Sequence, residues 1–137
     1  MNQKGFATLE VILMVMVIGI LATVAVPRFT DVTTKANTAK IQSDLATIDS
    51  AIDMYYMEKG EYPKDGTLSS TDVSNALKPY IKDISNLKPP SGEAYVDGEA
   101  KTIGTNYEVA KVDETTRATL KVGETSKTAG DFYKSKS

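Results

Sequence analysis

The first thirty residues, MNQKGFATLEVILMVMVIGILATVAVPRFT, constrain this chain more than any other stretch. A short polar leader containing Lys4 runs into Gly5, and Phe6 to Val26 then forms a nearly unbroken apolar segment with one carboxylate, Glu10. At about 1.5 Å per residue, a helix of this length spans roughly 30 Å, the thickness of a bilayer's hydrocarbon core. The segment is therefore expected to lie in a membrane, single-pass. The positive-inside tendency places Lys4 and the leader on the cytoplasmic side and the C-terminal domain outside.

An acid inside such a segment needs a partner. Placing an Asp or a basic residue at a bilayer centre costs about 2.5 to 3.5 kcal/mol, and no basic residue stands between Phe6 and Val26. A cut between Gly5 and Phe6 would create an α-amine about one helical turn from Glu10. That amine lies too close in sequence, and is badly aimed, for easy pairing within one chain. Its natural counterpart is the Glu10 of a neighbouring copy, so assembly neutralises both charges.

Gly5, Phe6, Thr8, Leu9 and Glu10, followed by the apolar run with Gly19 and Pro27, resemble the N-terminal signature of type IV pilins and of the pseudopilins of type II secretion and competence systems. The resemblance covers about the first sixty residues. It implies cleavage by a prepilin peptidase after Gly5, methylation of Phe6 at its new N-terminus, and Glu10 as the carboxylate that docks a subunit on a growing filament. The implied partners are further copies of the chain in a helical homopolymer, the peptidase, the membrane platform and motor of the assembly machinery, and lipid before assembly.

Two other readings start from the same residues. A secretory signal peptide has a basic start, an apolar stretch of about 7 to 15 residues and a small-residue cleavage site, for which Thr23 to Ala25 is a weak candidate. Here the apolar run is too long, the basic region is one lysine, and an acid interrupts it. A plain signal anchor is the second alternative, and it leaves Glu10 without a purpose.

Roughly 110 residues follow the membrane segment, enough for one small domain with one core. Acids slightly outnumber bases, 18 to 16, with no concentrated basic patch, so nothing indicates nucleic-acid binding. The chain has no cysteine and no histidine. This excludes disulfides, thiol nucleophiles and imidazole chemistry. Many pilins of Gram-negative bacteria close a C-terminal loop with a disulfide, and this chain departs from them there.

The sequence predicts an α+β fold: a long N-terminal helix, membrane-spanning in its first half, packed by its second half on an antiparallel sheet of three to four strands. Residues 1–5 form the leader, 6–27 the transmembrane and assembly helix, and 28–60 its amphipathic continuation. Gly19 and Pro27 mark the weakest part of the helix, because proline lacks a donor and crowds the carbonyl of Thr23. The resemblance implies that this stretch unwinds on assembly. In residues 28–60, Phe29, Val32, Ala36 and Ala39, and then Ile41, Leu45, Ile48, Ile52 and Tyr55, recur at three and four, as a buried stripe should. Asp31 with Lys35 and Lys40 with Asp44 are expected on the solvated side. Gly60 ends the helix before Tyr62-Pro63.

Residues 61–92 are expected to be a connection with a short helix, capped by Ser70 or Thr71, that buries Val73, Leu77 and Ile81 and frays around Pro79. Residues 93–123 alternate short β-type runs with turns: Asp97-Gly98 is a hairpin signal, and Asp113 to Thr116 is a second turn. Residues 124–137, polar except for Phe132 and Tyr133, are expected to be a partly fixed tail.

No nucleophile with a base, carboxylate pair in a pocket or metal cluster stands out, so no enzyme, cofactor, metal or small-molecule substrate is expected. Major pseudopilins bind calcium in a C-terminal loop. Asp97 with Glu99, and Asp113 with Glu114, are nevertheless read as turn residues, since the oxygen-rich ligand set is missing. The expected function is structural. Three readings stay open: a major type IV pilin for adhesion, motility or DNA uptake, a major pseudopilin, and a membrane-anchored extracytoplasmic binding module.

Overall fold

The computed structural model describes residues 3–133, apart from the side chains of residues 24–28. The Pro27 ring invoked as a helix breaker, Met1 and Asn2 of the leader, and residues 134–137 of the tail lie outside the described residues. Contacts divide the chain into two compact units, the first ending at Thr33 and the second beginning at Thr34.

The first unit is helix alone. Helix α1 is assigned from Gln3 to Lys59, so its backbone is helical through Gly19 and Pro27 and already within the leader. Residues Gln3 to Thr23 have a mean hydropathy of 2.4, and none of them is buried. Thr8 and Thr23 place their hydroxyls on the carbonyls of Lys4 and Ile20, at 2.8 and 2.7 Å. Both polar groups are thereby satisfied within the helix, as an apolar medium requires.

The second unit begins inside the helix and closes around the stripe that starts at Ile41. Ile41, Leu45 and Ile48 are fully buried, and Ala51 and Ile52 nearly so. The earlier part of the expected stripe is corrected. Phe29 and Val32 are 71% and 63% exposed, while Thr34 and Thr38 are buried. Counting back from Ile41 by helical spacing reaches Thr38 and Thr34, and their hydroxyls need not be wet. Thr38 Oγ1 donates to the Thr34 carbonyl at 2.7 Å and accepts the Tyr95 N–H at 2.8 Å. The helix ends at Gly60, whose φ of +76° and 2.8 Å bond to the Tyr56 carbonyl form a left-handed cap.

Strand β1 (Gly66–Thr67) precedes helix α2 (Thr71–Leu77) and a short 3₁₀ turn at Ile84–Asn86. Val73, Leu77 and Ile81 are buried as expected. Ser70 holds the N-cap position, but makes no side-chain cap bond. Its hydroxyl turns back to the Thr67 carbonyl at 2.7 Å instead.

The β region departs from one continuous sheet over residues 93–123. Strands β2 (Glu93–Val96) and β3 (Glu99–Thr102) form a separate two-stranded hairpin, while β4 (Tyr107–Val112), β5 (Thr115–Val122) and β6 (Thr125–Lys127) join β1 in the order β1-β4-β5-β6, all antiparallel. The turns at Asp97-Gly98 and Asp113-Glu114 have positive φ at both residues, the geometry whose twist suits two-residue hairpins. Tyr107, Val109, Ala118 and Leu120 form the sheet's inner face and join the helical stripe in one core. The segment expected as a partly fixed tail is ordered through its described residues. It supplies β6, a 3₁₀ turn at Ala129–Asp131, and Phe132, which is fully buried. One large aromatic in a polar stretch carries too little periodicity to announce that it closes the core.

Candidate functional site

The residues singled out by the sequence lie on the exposed apolar helix of the first unit. Phe6 is 55% exposed, and Leu9, Ile12, Leu13 and the apolar residues through Leu21 are similarly open. Glu10 shares one face with Leu13, Met14, Val17 and Ile18, around a shallow hollow of about 390 Å³. It is the acid on a surface otherwise built for hydrocarbon. Gly5 and Gly19 have no neighbour within 4 Å of where a Cβ would stand, so neither is required by packing within the chain. Gly5 and Phe6 are consecutive residues of α1, and Glu10 follows about one turn beyond Phe6.

In the second unit, polar side chains from α1 hold the sheets in place. Asp44 accepts the Tyr107 hydroxyl at 2.6 Å and the Lys40 ammonium at 2.5 Å, and Lys40 also reaches the Lys88 carbonyl. The Asp44 side chain is only 13% exposed, so the expected solvated Lys40–Asp44 pair is half internal. Burial first, and then the bond to Asp44, push the Tyr107 phenol well above its ordinary value. Asn37 donates to the carbonyls of Ser91 and Glu93. Asp49 Oδ1 accepts the Ala118 N–H at 2.7 Å. Desolvation raises the Asp49 pKa, offset in part by that bond and by Arg117. Sequence inspection passed over Asp49 and Asn37. The signal was present, since Asp49 adjoins Ile48 on the flank of the stripe.

The tyrosines at the helix exit pair off. Tyr56 stacks on Tyr62 with centroids 4.4 Å apart, and Tyr55 meets Tyr80 edge-on at 6.4 Å. Tyr80 donates to Glu58, and that bond pushes its pKa up to about 12. Asp97, weighed as a cation ligand, is instead bonded to Lys127 at 2.7 Å, and the bond raises the lysine pKa. Among the described residues, no three acidic side chains converge on a point that could hold a metal ion.

No family model matches the chain, and no solved structure matches it. Individual proteins do. The chain is 34% identical over 83 residues to the type IV major pilin of Neisseria gonorrhoeae, covering 60% of this chain and 50% of that protein. It is 32% identical over 83 residues to a fimbrial protein of Neisseria meningitidis serogroup B, covering 60% and 49%. Against the type II secretion system core protein G of Klebsiella michiganensis it is 37% identical over 62 residues, covering 45% and 44%. The chain thus spans about half the length of the relatives it matches. With its apolar N-terminal helix and antiparallel sheet, this chain is a homologue of the type IV pilins and of the type II secretion pseudopilins.

Proposed function

We propose that this chain is the major subunit of a type IV pilus, processed at its N-terminus and polymerised through α1 into a surface filament. The observation that carries the reading is Glu10 in an apolar helix whose side chains find no cover within their own chain. Water is a poor environment for such a surface, since each large apolar side chain left in it forgoes about 1.5 to 3 kcal/mol. Lipid covers it before assembly, and a bundle of identical helices covers it afterwards. Transfer between these two apolar surroundings costs little, so the helix moves from membrane to fibre without passing through water.

In this reading a prepilin peptidase cuts between Gly5 and Phe6, Phe6 is methylated, and its ammonium group meets Glu10 of the adjacent subunit. The helix lies in the cytoplasmic membrane with the leader inside and the second unit outside, until the platform and motor draw it into the fibre. Gly19 to Pro27 is where the helix yields on assembly. A contact that uses different surfaces on the two partners propagates as an open helix, hence a fibre. The role is structural, without catalysis.

A second reading, a major pseudopilin, is favoured by the identity to core protein G, which is as high as that to the pilin. Mass spectrometry of the native protein tests the processing: a methylated Phe6 as first residue is expected, whereas an intact Met1 or a first residue Val26, left by a cut after Ala25, leaves a tethered or secreted binding module. Electron microscopy of sheared surface material then separates the two filament readings. Long fibres containing this chain identify a pilus, and their absence, with a secretion defect on deletion, identifies a pseudopilus.

A further inference from the structure

Helix α1 starts ahead of the proposed cut. It is assigned from Gln3, so the Gly5–Phe6 peptide lies inside its first turns. Thr8 reinforces that stretch. Its Oγ1 donates to the Lys4 carbonyl at 2.8 Å, and the ring closed by this bond contains the Gly5–Phe6 peptide. In an apolar surrounding a threonine hydroxyl has the carbonyls three and four residues back as its acceptors. For Thr8 these belong to Gly5 and Lys4, the two groups that opening the turn carries away. Gly5 acts in the opposite direction. Glycine is a poor helix former, and no atom lies within 4 Å of where its Cβ would stand, so packing within the chain does not call for it.

We propose that Thr8 is a positioning residue that holds the Gly5–Phe6 peptide in helical form and so sets how often it is presented for cleavage; this rests on the processing reading given above. Hydrolysis adds water across the amide, leaving a carboxylate on Gly5 and an ammonium group on Phe6. The helical pattern bonds the Gly5 carbonyl to the Leu9 N–H and wraps the turn around it, so the peptidase acts on the opened turn. Helix–coil exchange takes about 0.1 to 1 μs. When opening and closing are fast relative to cleavage, the rate follows the population of the open form, and the Thr8 bond lowers that population. The cut removes Lys4 with the leader, so the restraint acts on the precursor alone.

The test uses the full-length chain in detergent micelles and a purified prepilin peptidase, with the appearance of a chain beginning at Phe6 timed by mass spectrometry. Thr8→Val keeps the shape of the side chain and removes the donor; Thr8→Ser keeps the donor. Thr8 is exposed, so neither change disturbs packing. Thr8→Val is expected to be cut about two- to tenfold faster than the parent, the factor for one net hydrogen bond, and Thr8→Ser at close to the parent rate. Amide hydrogen exchange from Phe6 to Leu9 in the uncut chain, without peptidase, should rise by the same factor in Thr8→Val and stay near the parent in Thr8→Ser. Equal cleavage of Thr8→Val and parent overturns the proposal. So does faster cleavage without faster exchange, which would place the effect of Thr8 in the peptidase's own site. A parent chain left uncut between Gly5 and Phe6 removes the processing reading itself, and this proposal with it.

Discussion

Tyr107 and Asp49 each join α1 to a chosen atom of the sheet, one through a hydroxyl and the other through a carboxylate. Tyr107→Phe removes the donor to Asp44 and leaves the ring in place, so denaturant unfolding should show a loss of about 1 to 2 kcal/mol. Folding raises the phenol's pKa above its ordinary 10.0, because the protonated form is the one that is buried and bonded. Its contribution is therefore complete below pH 10 and is lost as the pH rises beyond it. A stability profile of Tyr107→Phe should be flatter than the parent's on the alkaline side.

For Asp49 the raised pKa carries the opposite consequence at neutral pH. The folded state holds the proton more tightly than the unfolded, so the term favours folding below the ordinary 3.8 and is lost as the pH rises through the folded value. Asp49→Asn should then be at least as stable as the parent near pH 7 and gain less on acidification to about pH 4, as measured by urea midpoints.

Among the elements, the last segment contributes most against expectation. Phe132 fills the core, and its carbonyl accepts Gln42 Nε2 from α1. Phe132→Ala should cost about 3 to 5 kcal/mol by calorimetry, the range for emptying a buried aromatic site. Gly98, at φ +85° in the β2–β3 turn, should lose about 1 to 2 kcal/mol as alanine, with faster amide exchange confined to that hairpin.

These elements also show what was legible beforehand. The apolar segment, the Ile41 to Ile52 stripe, the Gly60 stop, α2 and the Asp97-Gly98 turn each follow from local chemistry, and each is present. The division of the strands into a sheet and a separate hairpin was not legible. It depends on which edge bonds which neighbour, and here Asn37 and Thr38 of the helix serve the outer edge of β2 in place of a strand. Buried threonines, like a lone Phe132, look polar or isolated in a sequence until their partners are known.

For the whole molecule, the proposed role turns on Glu10. Glu10→Ala should still insert in the membrane, while fibres counted by electron microscopy should fall by about tenfold, the factor for ~1.4 kcal/mol of lost docking energy. Wild-type fibre numbers would remove the pairing with Phe6 from the account. The hairpin's dependence on the C-terminal segment has a practical consequence. The Asp97 and Gly98 amides bond to the carbonyls of Asp131 and Tyr133, so residues 131–133 are a structural support and a poor place to insert foreign sequence. The Gly123-Glu124 turn is exposed, and no atom lies within 4 Å of where a Gly123 side chain would begin. An epitope grafted there would be displayed once per subunit along any fibre this chain builds, with the hairpin's anchorage intact.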